Sequence, residues 1–133
     1  MQMSTRLANV SDSTIIVVAS LLWLFAALKP GEVQNLRSTL NPIEASLTLN
    51  WDQPINTTTA GDVTAYDIRF KMYGGNNYYS VMAVNAPARS IHLTRELGLK
   101  PLTKYTIEVR ARNFHCQGEW SYISEYIGMY SSY

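Results

Sequence analysis

Beyond residue 28, apolar and polar residues alternate with a period of two in short segments. This alternation is typical of a β-strand that buries one face and wets the other. No helical period appears in the same region, so the pattern predicts an all-β domain. The clearest alternating apolar positions are Leu47, Leu49 and Trp51, then Tyr66, Ile68 and Phe70, then Tyr105, Ile107, Val109 and Ala111.

Turn-forming residues divide this region into seven predicted strands. We expect a first strand with its lead-in over 30–36, and further strands over 46–51, 66–71, 78–84, 90–94, 105–112 and 120–127. Between them lie a polar, threonine-rich loop over 52–62 and a glycine-rich turn over 74–77. Short strands at this spacing predict a seven-stranded antiparallel Greek-key sandwich with an immunoglobulin-like architecture.

An uncharged apolar segment, Ile15–Leu28, precedes the predicted strands. Its 14 residues are fewer than the ~20 that cross a bilayer as a helix, but they match the apolar centre of a secretory signal. Residues 1–28 are therefore predicted to be a signal peptide or a signal-anchor, with translated non-native sequence as a third alternative. Residues 29–128 then form one domain, followed by a C-terminal tail over 129–133.

Composition and charge restrict the classes of partner. The chain has 133 residues, and its 11 basic and 10 acidic side chains give a net charge of +1. This balance offers no electrostatic footprint for nucleic acid. The single cysteine, Cys116, excludes an internal disulfide, so packing must stabilise the fold.

The turn and strand over 99–113 read Leu-Lys-Pro-Leu-Thr-Lys-Tyr-Thr-Ile-Glu-Val-Arg-Ala-Arg-Asn. This stretch resembles the corner strand of the fibronectin type III family, and the resemblance extends from Pro30 to about Gly128. It implies a sandwich in which the Tyr105 ring joins the core while its hydroxyl bonds to backbone upstream. The predicted structural core comprises Trp51, Tyr66, Leu99, Pro101 and Tyr105.

The segment 120–124, Trp-Ser-Tyr-Ile-Ser, is similar to the Trp-Ser-x-Trp-Ser box of cytokine-receptor domains, with Ile123 in place of the second tryptophan. In that family the tryptophans stack with arginines of the preceding strand. The resemblance therefore implies a cation–π ladder formed by Arg110, Arg112 and Trp120. The alternative is an ordinary last strand that begins with a half-exposed tryptophan.

Residues suited to catalysis or metal binding are sparse. His92 and His115 lie in different segments without carboxylates at ligand spacing, so we expect no metal site, no cofactor and no catalytic residues. A nucleophilic pair formed by His115 and Cys116 is disfavoured, because neighbours in an extended chain project to opposite sides. Asn56 begins an Asn-Thr-Thr acceptor sequence for N-linked glycan in a loop that we expect to be exposed.

Together these patterns predict a non-catalytic protein-binding or spacer module of an extracellular adhesion or receptor protein, secreted or at the cell surface. Its partners would be a protein ligand or neighbouring domains, not nucleic acid. Contact with a membrane would occur only through the N-terminal apolar segment, if that segment stays uncleaved. The alternative is an intracellular scaffold module of the kind found in giant muscle proteins, which the absence of disulfides favours.

Overall fold

The alternating segments pair into two antiparallel sheets that face each other. This arrangement comes from a computed structural model, which describes residues 29–55 and 61–128. The predicted leader, the predicted tail and Asn56 lie outside these ranges. The strands are β1 (Gln34–Asn41), β2 (Ser46–Asp52), β3 (Ala65–Met72), β4 (Tyr78–Asn85), β5 (Ser90–Leu93), β6 (Thr103–Arg112) and β7 (Ser121–Ile127), with a short 3₁₀ turn at Arg95–Leu97.

One sheet has the strand order β1-β2-β5 and the other β4-β3-β6-β7. All pairings between neighbouring strands are antiparallel. An isolated bridge between Arg112 and Gln117 lies outside the named strands of the described residues. The all-β, immunoglobulin-like sandwich that the alternation predicts is therefore confirmed.

The first strand lies later in the chain than the pattern predicts. β1 begins at Gln34 and runs to Asn41, because its register is set by pairing with β2, where Gln34 opposes Asp52. Pro30 has no N–H with which to extend that ladder. The last strand likewise begins at Ser121, one residue after Trp120.

The core fills the space between the sheets with the apolar faces of β2, β3 and β6. At its centre the Trp51 and Tyr66 rings meet edge to face at 5.3 Å, and Phe70 meets Tyr105 in the same manner at 5.7 Å. Such edge-to-face pairs add stabilisation beyond that of the buried area. The buried cluster is Val33, Ala45, Leu47, Leu49, Trp51, Tyr66, Ile68, Phe70, Leu93, Leu99, Tyr105, Ile107, Val109, Ala111 and Ile127.

One face of each strand packs in the core. Because successive side chains point to opposite faces, polar and aromatic side chains occupy the outer face of the four-stranded sheet. Within the described residues no helix is long and apolar enough to cross a membrane.

Candidate functional site

Cations and aromatic rings alternate on the outer face of the four-stranded sheet. The guanidinium carbon of Arg69 lies 3.9 Å from the ring centroids of both Tyr78 and Trp120. The guanidinium carbon of Arg110 lies 4.3 Å from the Trp120 ring, and the Lys71 ammonium lies 5.0 Å from the Tyr78 ring. These contacts connect Lys71, Tyr78, Arg69, Trp120 and Arg110 in that order, and we call this set the cation–ring ladder.

Cross-strand register brings the ladder together. Arg69 and Lys71 occupy alternate positions on β3, and Tyr78 at the start of β4 lies opposite Lys71. Arg110 projects from β6 on the other side of β3, and Trp120 immediately precedes β7. Residues two apart on a strand share a face, so these side chains all point away from the core.

Two buried carboxylates accept hydrogen bonds from side chains of the ladder and fix their positions. Glu108, 8% exposed, accepts hydrogen bonds from Arg69 Nη2 at 2.9 Å and from the Tyr78 hydroxyl. Asp67, 6% exposed, accepts from Arg110 Nε at 3.0 Å and from Arg112 Nε at 2.9 Å.

Charge-assisted bonds of this kind are shorter and stronger than neutral ones, and they satisfy carboxylates that burial would otherwise penalise. Each carboxylate therefore fixes two side chains, and the outer face is preorganised.

One of the two buried carboxylates changes the acidity of a ladder residue, Tyr78. The hydrogen bond to Glu108 raises the pKa of the Tyr78 hydroxyl, with burial as a smaller cause. The phenol stays protonated because a phenolate beside the Glu108 carboxylate would place two anions in contact. Tyr78 thus remains a neutral donor at physiological pH.

Exposed apolar side chains continue the surface beyond the ladder. Tyr122 on β7 is 70% exposed and lies opposite Glu108, and Val81 on β4 is 62% exposed and lies opposite Arg69. Tyrosine, tryptophan and arginine are the residues most enriched where proteins bind one another tightly. Chemically, this face suits contact with another protein better than turnover of a small molecule.

A family model of the fibronectin type III domain matches residues 31–126. The chain belongs to the fibronectin type III domain family. The sequence resemblance across the corner strand is thereby confirmed.

Curated relatives of this fibronectin type III domain include protein sidekick-1 of human, 34% identical over 83 residues, and that of mouse, 32% identical over 83 residues. Each match covers 62% of this chain and 4% of the relative. The chain thus spans a small fraction of the length of the relatives that it matches.

Solved structures share the fold. A computationally redesigned β-sandwich protein is 19% identical with a TM-score of 0.61, over 77% of this chain and 94% of that one. Domains d3-d4 of the rat CD45 extracellular region are 15% identical with a TM-score of 0.61, over 73% of this chain and 49% of that one. At these identities the likeness concerns the sandwich alone.

The residues expected in the core of the domain occupy different depths. Trp51, Tyr66, Leu99 and Tyr105 are buried, whereas Pro101 is half-buried in the turn before β6. The Tyr105 hydroxyl accepts a hydrogen bond from the backbone N–H of Lys100 at 2.8 Å and donates to the carbonyl of Gly98 at 3.4 Å. Burial raises the pKa of this hydroxyl.

The predicted ladder differs from the observed one in its second cation. Arg110 does lie over Trp120, but Arg112 is held by Asp67, and Arg69 supplies the other guanidinium over the ring. Ile123, at the position of the second tryptophan, faces inward and packs against the core.

Sequence reasoning missed Arg69, Tyr78 and the two carboxylates as a unit. The alternation of β3 and β6 did indicate that these side chains point outward. It did not give the register between the two strands, which places Arg69 opposite Glu108 and Asp67 opposite Arg110.

Of the two histidines, His92 lies on β5, whereas His115 and its neighbour Cys116 lie in the loop before β7. Among the described residues no group of three or more histidine, cysteine, aspartate or glutamate side chains could hold a metal ion. In the loop before β7, Asn113 Oδ1 accepts hydrogen bonds from the backbone N–H groups of His115 and Cys116, both at 2.7 Å. Cys116 is a free, half-buried thiol, and Phe114, two residues earlier in the same loop, is 89% exposed.

Proposed function

We propose that this fibronectin type III domain is a non-catalytic protein-binding or spacer module of an extracellular adhesion or receptor protein. The observation that carries the proposal is the cation–ring ladder, a preorganised outer face on which half-buried aromatic rings and guanidinium groups meet solvent. Because the two carboxylates already order its side chains, a partner would gain these contacts at a small loss of conformational entropy.

The face favours a protein partner with carboxylate groups at its rim. Lys71, Arg69, Arg110 and Arg112 outnumber Asp67 and Glu108 on this surface, while the whole chain carries a net charge of +1. Complementary charges steer association and set register more than they set affinity. The exposed Tyr122 ring would provide the apolar anchor.

An extracellular location is supported by the apolar segment 15–28 and by the acceptor sequence at Asn56. We would express the full chain in a secretory mammalian cell and follow glycosidase-sensitive mass, location and the N-terminal sequence. We expect glycosylated chain in the medium or at the cell surface, and Asn56→Gln should lose the glycan without changing location. Unmodified chain in the cytosol would contradict the proposal and favour the intracellular scaffold alternative.

Binding is tested separately by adding the purified, fluorescently labelled chain to cultured cells, with and without prior trypsin treatment of the cell surface. Tyr122→Ser should weaken trypsin-sensitive binding about ten-fold or more, as loss of a central aromatic anchor does. Ile43→Ser is the matched control, because Ile43 is 69% exposed but lies in the turn between β1 and β2. Equal effects of the two substitutions would exclude the outer face, and a chain that binds no cells would favour the spacer role.

A further inference from the structure

The four edges of the two sheets differ in their protection against pairing with other strands. β1 carries a bulge between Gln34 and Arg37, and β5 is only four residues long. On β7, Glu125 faces the opposite sheet, where its carboxylate accepts a hydrogen bond from the Ser38 hydroxyl. A bulge, a short edge strand and an inward-pointing charge are all devices by which proteins prevent edge-to-edge association.

The β4 edge lacks such protection along most of its length. Its sequence, Tyr-Tyr-Ser-Val-Met-Ala-Val-Asn, contains no charged residue, no proline and no glycine. The one irregularity in its pairing with β3 is a bulge at Tyr79, near the start of the strand. From Ser80 to Asn85 the register with β3 is continuous. On its other side, β4 pairs with no strand of the described residues. Along these six residues the N–H and C=O groups of alternate residues point away from β3, and no strand of the described residues pairs with them. These groups are therefore available as a template for another strand.

We propose that a second copy of this chain pairs antiparallel with β4 through its own β4 and joins the two four-stranded sheets. Self-pairing suits this strand because each copy presents only uncharged side chains, so no like charges lie opposite one another. On the outer face of the joined sheet, Val81 of each copy would make apolar contact with side chains of the other copy's β4. Val81 is 62% exposed in the single chain.

Charges next to the edge do not oppose this pairing. The nearest outer-face charges, Asp67, Arg69 and Lys71, belong to β3, one strand inward. Across two paired β4 strands they would be about 14 Å from the same residues of the other copy, at ~4.8 Å per strand. That separation exceeds the ~8 Å Debye length at physiological ionic strength, so repulsion between the two faces is largely screened.

The pairing would be weak and reversible. Beyond Asn85 the chain reaches Pro87, which has no N–H to donate, so the shared ladder is limited to about the six regular residues. A contact of this length falls below the ~1,000 Å² of buried surface that a stable dimer needs. The association should therefore appear at high local concentration, as on a crowded surface.

We would measure sedimentation of the full chain from micromolar to millimolar concentration. We expect a sedimentation coefficient that rises with concentration, and Val81→Lys should weaken the association about ten-fold or more because it places a charge on the pairing edge of each copy. Val81→Thr keeps the edge uncharged and should retain it. The matched control is Thr39→Lys, which adds the same charge to an exposed position of the protected β1 edge.

Amide hydrogen exchange identifies the surface that associates. In the dimer we expect protection that grows with concentration at amides of β4 and not at those of β1 or β7. Three outcomes would overturn the proposal: a chain that remains monomeric at millimolar concentration, equal weakening by Val81→Lys and Thr39→Lys, or concentration-dependent protection confined to other segments. Protection of β4 by an added extended peptide, in a chain that does not self-associate, would assign the edge to a different partner.

Discussion

Tyr105 shows how a single side chain connects the core to a turn. Its ring is fully buried against Phe70, while its hydroxyl accepts a hydrogen bond from Lys100 N–H at 2.8 Å. The turn that it holds contains Leu102 in a positive-φ conformation, which is uncommon for a side chain of this type. Packing and hydrogen bonding of one residue therefore hold the entry into β6.

Removing the Tyr105 hydroxyl tests this role. Tyr105→Phe keeps the ring but leaves the Lys100 N–H without its acceptor, so we expect a loss of about 1–2 kcal/mol in unfolding free energy. Urea denaturation measures the change. Tyr122→Phe is the control, because that ring is 70% exposed and should change stability by less than about 0.5 kcal/mol. Equal effects would show that the hydroxyl bond does not stabilise the turn.

Tyr78 provides a prediction on pH. Its pKa is raised above the ordinary value near 10, chiefly by the hydrogen bond to Glu108. Since the folded chain retains the phenolic proton more strongly than the unfolded chain, this contribution to stability is complete below about pH 10 and is lost as the pH rises through the folded-state pKa.

The shift should depend on the Glu108 charge. Glu108→Gln replaces a charged acceptor by a neutral one, so the pKa of Tyr78 should fall towards its ordinary value. Titration of the Tyr78 ring carbon resonances by NMR measures the pKa directly. Glu119→Gln, which removes a carboxylate paired with Lys29, should leave the titration unchanged. A Tyr78 titration unaffected by Glu108→Gln would refute the assigned cause.

At the scale of elements, the outer faces of β3 and β6 act as a pair. Asp67 opposes Arg110 and Arg69 opposes Glu108 in the register, so opposite charges meet directly across the two strands. Such cross-strand pairs stabilise a sheet, and here the two strands also present the cations that stack on Tyr78 and Trp120. The ladder therefore couples β3, β4 and β6 to the segment that enters β7.

The two arginines that differ from the predicted ladder allow a direct test. Arg69→Ala removes a guanidinium from between two rings and a donor from the buried Glu108 carboxylate, so we expect a loss of about 1–3 kcal/mol in unfolding free energy. Arg112→Ala should cost less, because Asp67 keeps its bond from Arg110.

Denaturation of both variants, and of Trp120→Ala alone and combined with Arg69→Ala, completes a double-mutant cycle. We expect a coupling of about 0.5–1 kcal/mol between Arg69 and Trp120. Zero coupling would show that the contact between Arg69 and Trp120 does not stabilise the domain.

Across the whole molecule, contacts between segments distant in sequence join the start of the described chain to the approach to its last strand. The Ser121 hydroxyl donates a hydrogen bond to the carbonyl of Val33, 88 residues earlier, at 3.4 Å. Within the approach to β7 itself, the N–H of Gly118 donates to the carbonyl of Ala111 at 2.8 Å. The carbonyl of Pro30 lies against Gly118 so closely that a Cβ there would approach it to 2.7 Å. The lead-in to β1, the end of β6 and the loop before β7 therefore pack together at Gly118.

Adding a methyl group at this junction should destabilise the domain. In Gly118→Ala the new Cβ would meet the carbonyl oxygens of Pro30 and Ala111, which are backbone atoms that cannot rotate away. We expect a loss of about 1–3 kcal/mol in unfolding free energy, measured by thermal or urea denaturation. Gly128→Ala is the matched control, since a methyl group at that position would meet no atom of the described residues within 4 Å. A stable Gly118→Ala variant would show that the segments separate readily.

The sandwich and the sides of its strands could be predicted from the amino-acid pattern, because period-two alternation assigns each side chain to a face without reference to any partner strand. The sequence also indicated the Tyr105 corner, whose partners lie only 5 and 7 residues away.

The cations that stack on Trp120 and the start of β1 could not be predicted in this way, because both depend on how the strands pair in the folded domain. Arg69 and Glu108 are 39 residues apart, and their meeting depends on the register of two strands rather than on local pattern. Arg112 instead reaches Asp67, 45 residues away, because pairing places that carboxylate within its range. Alternation specifies a face, whereas contact across a sheet requires the relative shift of two strands, and that shift is settled only when the whole core packs.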